Sequence, residues 1–157
     1  MKAAIYARVS TDDQDPENQV SQLKDYANRM GYDIHDVYVD KGESGLKDNR
    51  PAFNEMLKAM RLRMFDLVLV WKLDRIGRSL QHLLQILQEM QNKNIGFCCL
   101  TQNIDTTTAA GKLMFHIIGA FAEFESSLIS ERTKAGMLRA KLAGKHVGRP
   151  RKNKKLF

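Results

Sequence analysis

The chain has 157 residues, 43% of them hydrophobic, and a formal net charge of +7. This is one domain's worth of core with room for an appendage, and no run approaches the roughly 20 apolar residues of a membrane-spanning helix. MKAAIYARVS at the start lacks the apolar stretch and cleavage site of a secretory signal; the adjacent Cys98 and Cys99 point to opposite faces of a strand and read as core thiols in a reducing cytoplasm.

Residues 2–9, KAAIYARV, have the short apolar character of a buried strand. A helix is predicted over 16–31, opened by Pro16 and Glu17, carried by Val20, Leu23, Ala27 and Met30, and ended by Gly31. IHDVYV (34–39) reads as a second strand. DKGESGLKDNR (40–50) is Gly-rich and charged and reads as a mobile loop. Pro51 opens a helix with Phe53, Met56, Leu57 and Met60 on one face. DLVLVW (66–71) is the clearest buried strand. A helix over about 79–93 carries Leu80, Leu83, Leu84, Leu87 and Met90, and IGFCCL (95–100) is another strand. Strands alternating with helices predict an α/β fold: a mostly parallel sheet covered by helices on both faces.

The pattern changes at Gly111. Residues 111–144 hold no proline and carry a broad stripe that includes Met114, Ile117, Ile118, Phe121, Phe124 and Leu128. At 1.5 Å per residue a helix of that length measures about 50 Å, more than a domain of this size spans. One end is therefore expected to project and its surplus apolar face to meet a partner helix. The competing reading is two shorter helices broken near Gly119. The expected organisation is a sheet domain over 1–105, the long helix over 111–144 and a basic arm over 145–157.

Charge is unevenly spread. Residues 132–157 hold ten basic side chains and no acid, whereas the rest hold 15 basic and 18 acidic groups. A near-neutral body ending in a cationic segment points to a polyanion, most simply nucleic acid. A solvated cationic tail gives the same count.

Polar groups collect where open parallel sheets place their sites, at the carboxyl ends of strands. The first strand ends in Arg8 and Ser10. The third runs into WKLDRIGRS, with Lys72, Asp74, Arg75 and Arg78. The loop adds Asp40 and Arg50, and Gln19 lies on the first helix. Four guanidiniums around one hydroxyl suit phosphoryl transfer, because arginine keeps its charge and offers phosphate a bidentate fork. Ser10 then reads as a nucleophile. There is no clustered carboxylate set for a metal, no Walker loop and no GxGxxG, so the expectation is no cofactor. Taken singly, Ser10 through Gln14 fit a turn or helix cap, Arg75 and Arg78 a solvated face, and Asp74 an ion-pair partner.

The motifs YARVST (6–11), DKGESG (40–45), NRPAF (49–53), VWKLDRIGRS (70–79) and FAEFESSLISERTKAGMLRAKLAGKHVGRP (121–150) resemble, in order, the blocks of the serine site-specific recombinases, the resolvase/invertase family. The resemblance covers nearly the whole chain. It implies that Ser10 attacks a DNA phosphodiester to give a 5′-phosphoserine link and a free 3′-hydroxyl. Strand exchange in a tetramer and religation follow, without metal or ATP. By position it makes Arg8, Arg75 and Arg78 phosphate-binding, sets Asp74 beside them, and adds Gln19, Asp40 and Arg50 to the site. It makes the long helix a dimer interface through Met114, Ile117, Ile118, Phe121, Phe124, Leu128 and Glu131. It assigns Arg132, Arg139, Lys141, Lys145, Arg149, Arg151 and Lys152 to double-stranded DNA, with GRPR entering the minor groove. The implied partners are DNA and further copies of the chain, with no membrane, in a cytoplasmic, nucleoid-associated protein.

Two departures accompany the resemblance. Ser126 follows FAEFE where the family commonly has Arg, and only seven residues follow Pro150, too few for the helix-turn-helix that reads the site in small members. Two other readings compete: a catalytically impaired DNA-binding module of the same fold, and a flavodoxin-like domain for a small phosphorylated ligand. The basic tail speaks against the last.

Overall fold

The structure, a computed structural model, describes residues 1–10, 16–42, 50–77, 79–146 and 148. Its elements in chain order are β1 (Lys2–Ser10), α1 (Pro16–Arg29), β2 (Asp33–Gly42), α2 (Pro51–Arg61), β3 (Leu67–Val70), a 3-10 turn (Leu73–Arg75), α3 (Leu80–Asn92), β4 (Gly96–Cys99), β5 (Ile104–Asp105) and α4 (Ala109–Leu142). The strands form one sheet in the order β2-β1-β3-β4-β5. The first four are parallel, and β5 runs antiparallel to β4.

The topology follows from the handedness of parallel crossovers. The chain leaves β1 for β2 on one side, then returns past β1 to β3. Right-handed connections in opposite directions put their helices on opposite faces. Leu23 and Ala27 of α1 accordingly pack on Ala3, Ile5, Leu67, Leu69 and Cys98. The other face carries α2, α3 and the start of α4, whose Phe53, Met56, Leu83, Leu87 and Phe115 cover Ala4, Tyr6, Val68, Val70, Phe97 and Cys99. Cys98 and Cys99 thus lie on opposite faces as free thiols. Burial pushes the Cys98 thiol up to about 11, so it stays protonated.

All four helices stop in the same way. Gly31, Arg63, Asn94 and Gly144 take positive φ, and the next residue donates back to the carbonyl five positions earlier: Tyr32 to Ala27, Met64 to Ala59, Ile95 to Met90, Lys145 to Ala140. Met30, expected in the core, is instead exposed. It sits in the closing turn just past the last helical residue, off the apolar stripe.

Three boundaries differ from the expectation. β2 continues through Gly42, so Asp40, Lys41 and Gly42 belong to a strand and not to the loop; parallel pairing with β1 holds them, with Arg8 opposite Asp40 and Ser10 opposite Gly42. The two residues of β5 are too few for a periodic signal. The chain divides into compact units Met1–Ile118 and Gly119–Phe157, later than the expected 105/111 boundary. Gly111 and Phe115 are buried within the first unit, which keeps the opening turns of α4 there. The helix itself is continuous past Gly119, as the long-helix reading has it.

Candidate active site

Strands β1 to β4 are parallel, so their carboxyl ends share one edge. Strand order reverses between β1 and β3, and in open sheets that switch point is where sites form. The backbone of Ser10 closes β1 there. The Ser10 side chain and all of Arg78 lie outside the described residues, as do Arg149, Arg151 and Lys152. Arg8 is two positions earlier and half-buried. A Cβ added to Gly42 would lie 3.3 Å from Arg8 Nε and 3.5 Å from Nη2. A side chain at position 42 would therefore press on the Arg8 guanidinium, which would have to give by a few tenths of an ångström.

Beneath this edge lies a buried polar network. Asp40 is 3% exposed and Arg50 4% exposed. The Tyr6 hydroxyl donates to Asp40 Oδ2 at 3.0 Å and accepts from Arg50 Nε and Nη2 at 3.1 and 2.9 Å. Asp40 also accepts from the backbone N–H groups of Ala52 and Phe53 at 2.9 and 3.0 Å. It therefore caps α2 from a neighbouring strand, supplying the acceptor that the N-cap residue Arg50 does not. Burial raises the Tyr6 phenol well above its ordinary range, although the Arg50 bond pulls the other way. Tyr6 therefore keeps its proton and can donate to Asp40.

Arg50 spends its remaining donors on the turn after β3. Nη1 reaches Ile76 O at 2.8 Å, and Nη2 reaches Arg75 O at 2.6 Å. Its cation lies 4.0 Å from the Phe53 ring centroid. The sequence sets Arg50 among the cations around the hydroxyl; here its donors turn inward and hold the segment that carries Arg75. Asp74 is exposed, with Oδ1 3.9 Å from Arg75 Nε, the outer limit of an ion pair. Lys72 is exposed. Gln19 is half-buried on α1, and its Oε1 is buried with no hydrogen-bond partner among the described residues.

The structure thus brings Arg8, Asp40, Arg50 and Arg75 to one end of the sheet, with the backbone of Ser10 closing β1 there. Sequence reasoning missed Tyr6. The signal was present: Tyr6 and Arg8 share one strand face by alternation, and a tyrosine buried among Ala and Ile needs a partner for its hydroxyl.

Along α4, Met114, Ile117, Phe121 and Phe124 are exposed, the last two at 57% and 58%. Ile118 and Leu128 are half-buried and Glu131 is exposed, as are Arg132, Arg139, Lys141 and Lys145. An apolar segment is followed along the same helix by a cationic one.

Comparison with known proteins agrees with this architecture. The family model for the resolvase N-terminal domain matches residues 3–146. The serine recombinase gin of Escherichia phage Mu is 41% identical over 147 residues, which is 94% of this chain and 72% of that protein. The transposon Tn917 resolvase of Enterococcus faecalis is 38% identical over 149 residues, 95% of this chain and 76% of that one. Among solved structures, the N-terminal catalytic domain of TP901-1 integrase superposes with a TM-score of 0.73 at 40% identity, covering 82% of this chain and 98% of that one. A resolvase family site-specific recombinase from Streptococcus pneumoniae gives 0.77 at 32% identity, covering 90% and 98%. With the family model matching residues 3–146 and relatives about 40% identical over most of the chain, the chain belongs to the serine recombinase family and carries its resolvase-type catalytic domain.

Proposed function

We propose that Ser10 is the nucleophile of this recombinase and that Arg8, Arg75 and Arg78 hold the phosphate it attacks. The Ser10 Oγ–P bond forms as the P–O3′ bond breaks; the serine hydroxyl gives up its proton and the departing 3′-oxygen takes one, so the step is neutral in protons. Religation reverses the step, so the bond energy is conserved and no nucleotide is consumed. Three fixed positive charges stabilise the charge that spreads over the phosphoryl oxygens. Asp40 and Arg50 act one layer below, as positioning residues. The observation that carries this reading is Arg50: one guanidinium bonds both the Tyr6 hydroxyl on β1 and the Arg75 carbonyl after β3. It ties the strand that ends in Ser10 to the turn that bears the second arginine.

The substrate in this reading is double-stranded DNA. The cationic part of α4 and the arm after it lie on phosphates, and exposed Phe121 and Phe124 pack in a dimer that pairs into a tetramer for strand exchange. The test incubates the protein with a supercoiled plasmid carrying its recombination site. A protease-sensitive adduct is expected on the 5′ ends, insensitive to chelator, and Ser10→Ala should abolish it while DNA binding persists. An Ala variant that still cleaves removes Ser10 from the role. Phe121→Asp or Phe124→Asp should shift sedimentation toward the monomer, because a buried interface charge would lack a partner.

A further inference from the structure

We infer that Thr101 is a positioning residue for the catalytic turn, holding its entrance as Arg50 holds its exit; this rests on the function proposed above. Among the described residues, the 3-10 turn over Leu73–Arg75 has two backbone bonds of its own. Its internal bonds are Arg75 N to Lys72 O at 3.2 Å and Ile76 N to Leu73 O at 3.1 Å. Its far end is fixed by Arg50 on the carbonyls of Arg75 and Ile76. The near end is the Trp71 carbonyl, one residue beyond the last β3–β4 pair, Val70 with Cys99.

That carbonyl receives both donors of one residue. Thr101 N reaches Trp71 O at 3.2 Å, and Thr101 Oγ1 reaches it at 2.8 Å. The backbone bond alone would extend the ladder by one step, as Leu100 N does at Val70 O. The hydroxyl adds a short anchor, beside that backbone bond and the longer contact from Cys99 Sγ at 3.5 Å, at the point where β3 stops being a strand. Thr101 is itself exposed, so burial of a core does not explain it. Its one hydroxyl hydrogen is shared between Trp71 O and Gln102 Oε1, 2.7 Å away. Fixing the carbonyl that precedes Lys72 sets the start of the path to Asp74 and Arg75, and reacting groups must be held to a fraction of an ångström.

Thr101→Val deletes the hydroxyl with little change of shape, and Thr101→Ser restores it. Two measurements on the full chain decide the matter. Amide hydrogen exchange at Arg75 and Ile76 should quicken about fivefold in the Val variant, the scale of one hydrogen bond, and return toward wild type in the Ser variant. Formation of the 5′ adduct at saturating DNA should slow on the order of tenfold in Val, short of the roughly hundredfold cost of a 1 Å misplacement, with DNA affinity unchanged and Ser again restoring it. Unchanged exchange in Val, or failure of Ser to restore it, overturns the clamp. Faster exchange with an unaltered adduct rate overturns its role in positioning. If the wild-type protein forms no adduct, the proposed function falls, while the exchange measurement still passes judgement on the clamp.

Discussion

Replacing Arg50 with Ala tests whether this arginine belongs to the scaffold of the site or to its substrate face. At 4% exposure it donates to Tyr6 Oη, Ile76 O and Arg75 O, and its cation stacks on Phe53. The Ala variant leaves two carbonyls and the Tyr6 oxygen short of a donor; an orphaned buried polar group costs about 1–3 kcal/mol. It also leaves the Asp40 carboxylate, 3% exposed, without the cation that Tyr6 links to it. Removing one partner of a buried charged pair costs about 3–5 kcal/mol. The two counts describe overlapping losses, so about 3–5 kcal/mol is the working figure for the whole change. For a chain of this size each kcal/mol moves Tm by about 2–4 °C, which gives a fall of about 6–20 °C. Thermal unfolding at neutral pH followed by circular dichroism reads it directly, and Arg50→Lys, which keeps charge but loses the fork, should fall between. An Ala variant that melts within about 2 °C of wild type yet fails to cleave would refute the reasoning and return Arg50 to the substrate.

Gly111→Ala should lose about 3 kcal/mol or more, read from the urea midpoint, since its Cβ would collide with the backbone carbonyl of Asp105, which cannot give as a side chain could. Arg63→Gly should gain about 0.5–1 kcal/mol, because Arg63 holds φ 54° at the end of α2 where Gly is strain-free; a lower Tm would count against it. Arg61 and Glu89 join α2 to α3, with Arg61 Nε 2.7 Å from Glu89 Oε1, and the Arg61 hydrogen bond holds the Glu89 carboxyl below its ordinary value. A depressed carboxylate stabilises above its unfolded pKa and stops doing so as pH falls through the folded one, so the difference between wild type and Glu89→Gln should shrink as pH falls below the ordinary glutamate range of about 4.3 and vanish once the depressed carboxyl is protonated. Both side chains are partly exposed, so the gap at pH 7 should stay within about 1 kcal/mol.

Much of the fold was legible because its signals are local. Four parallel strands and four helices each carry a period, a proline start or a glycine stop that survives without tertiary context. The site was legible in part for the same reason: Arg8 and Ser10 alternate at a strand end, and the run after Trp71 is dense in charge. Position along the chain does not say which way a donor turns. Arg8 and Arg50 are alike in sequence terms, yet Arg8 lies against Gly42 at the edge, while Arg50 packs on Phe53 and reaches two carbonyls. That difference depends on α2 returning over β1, a contact 44 residues apart at Tyr6, and no window of sequence contains it. The same holds for Asp40. From its neighbours it belongs to a charged loop; from its register opposite Arg8 it belongs to a strand, and only then can it cap α2. The division of labour among the arginines therefore comes from the crossover. The strand that ends in Ser10 and the turn that bears Arg75 are brought side by side by topology, and Arg50, buried between them, bonds to both.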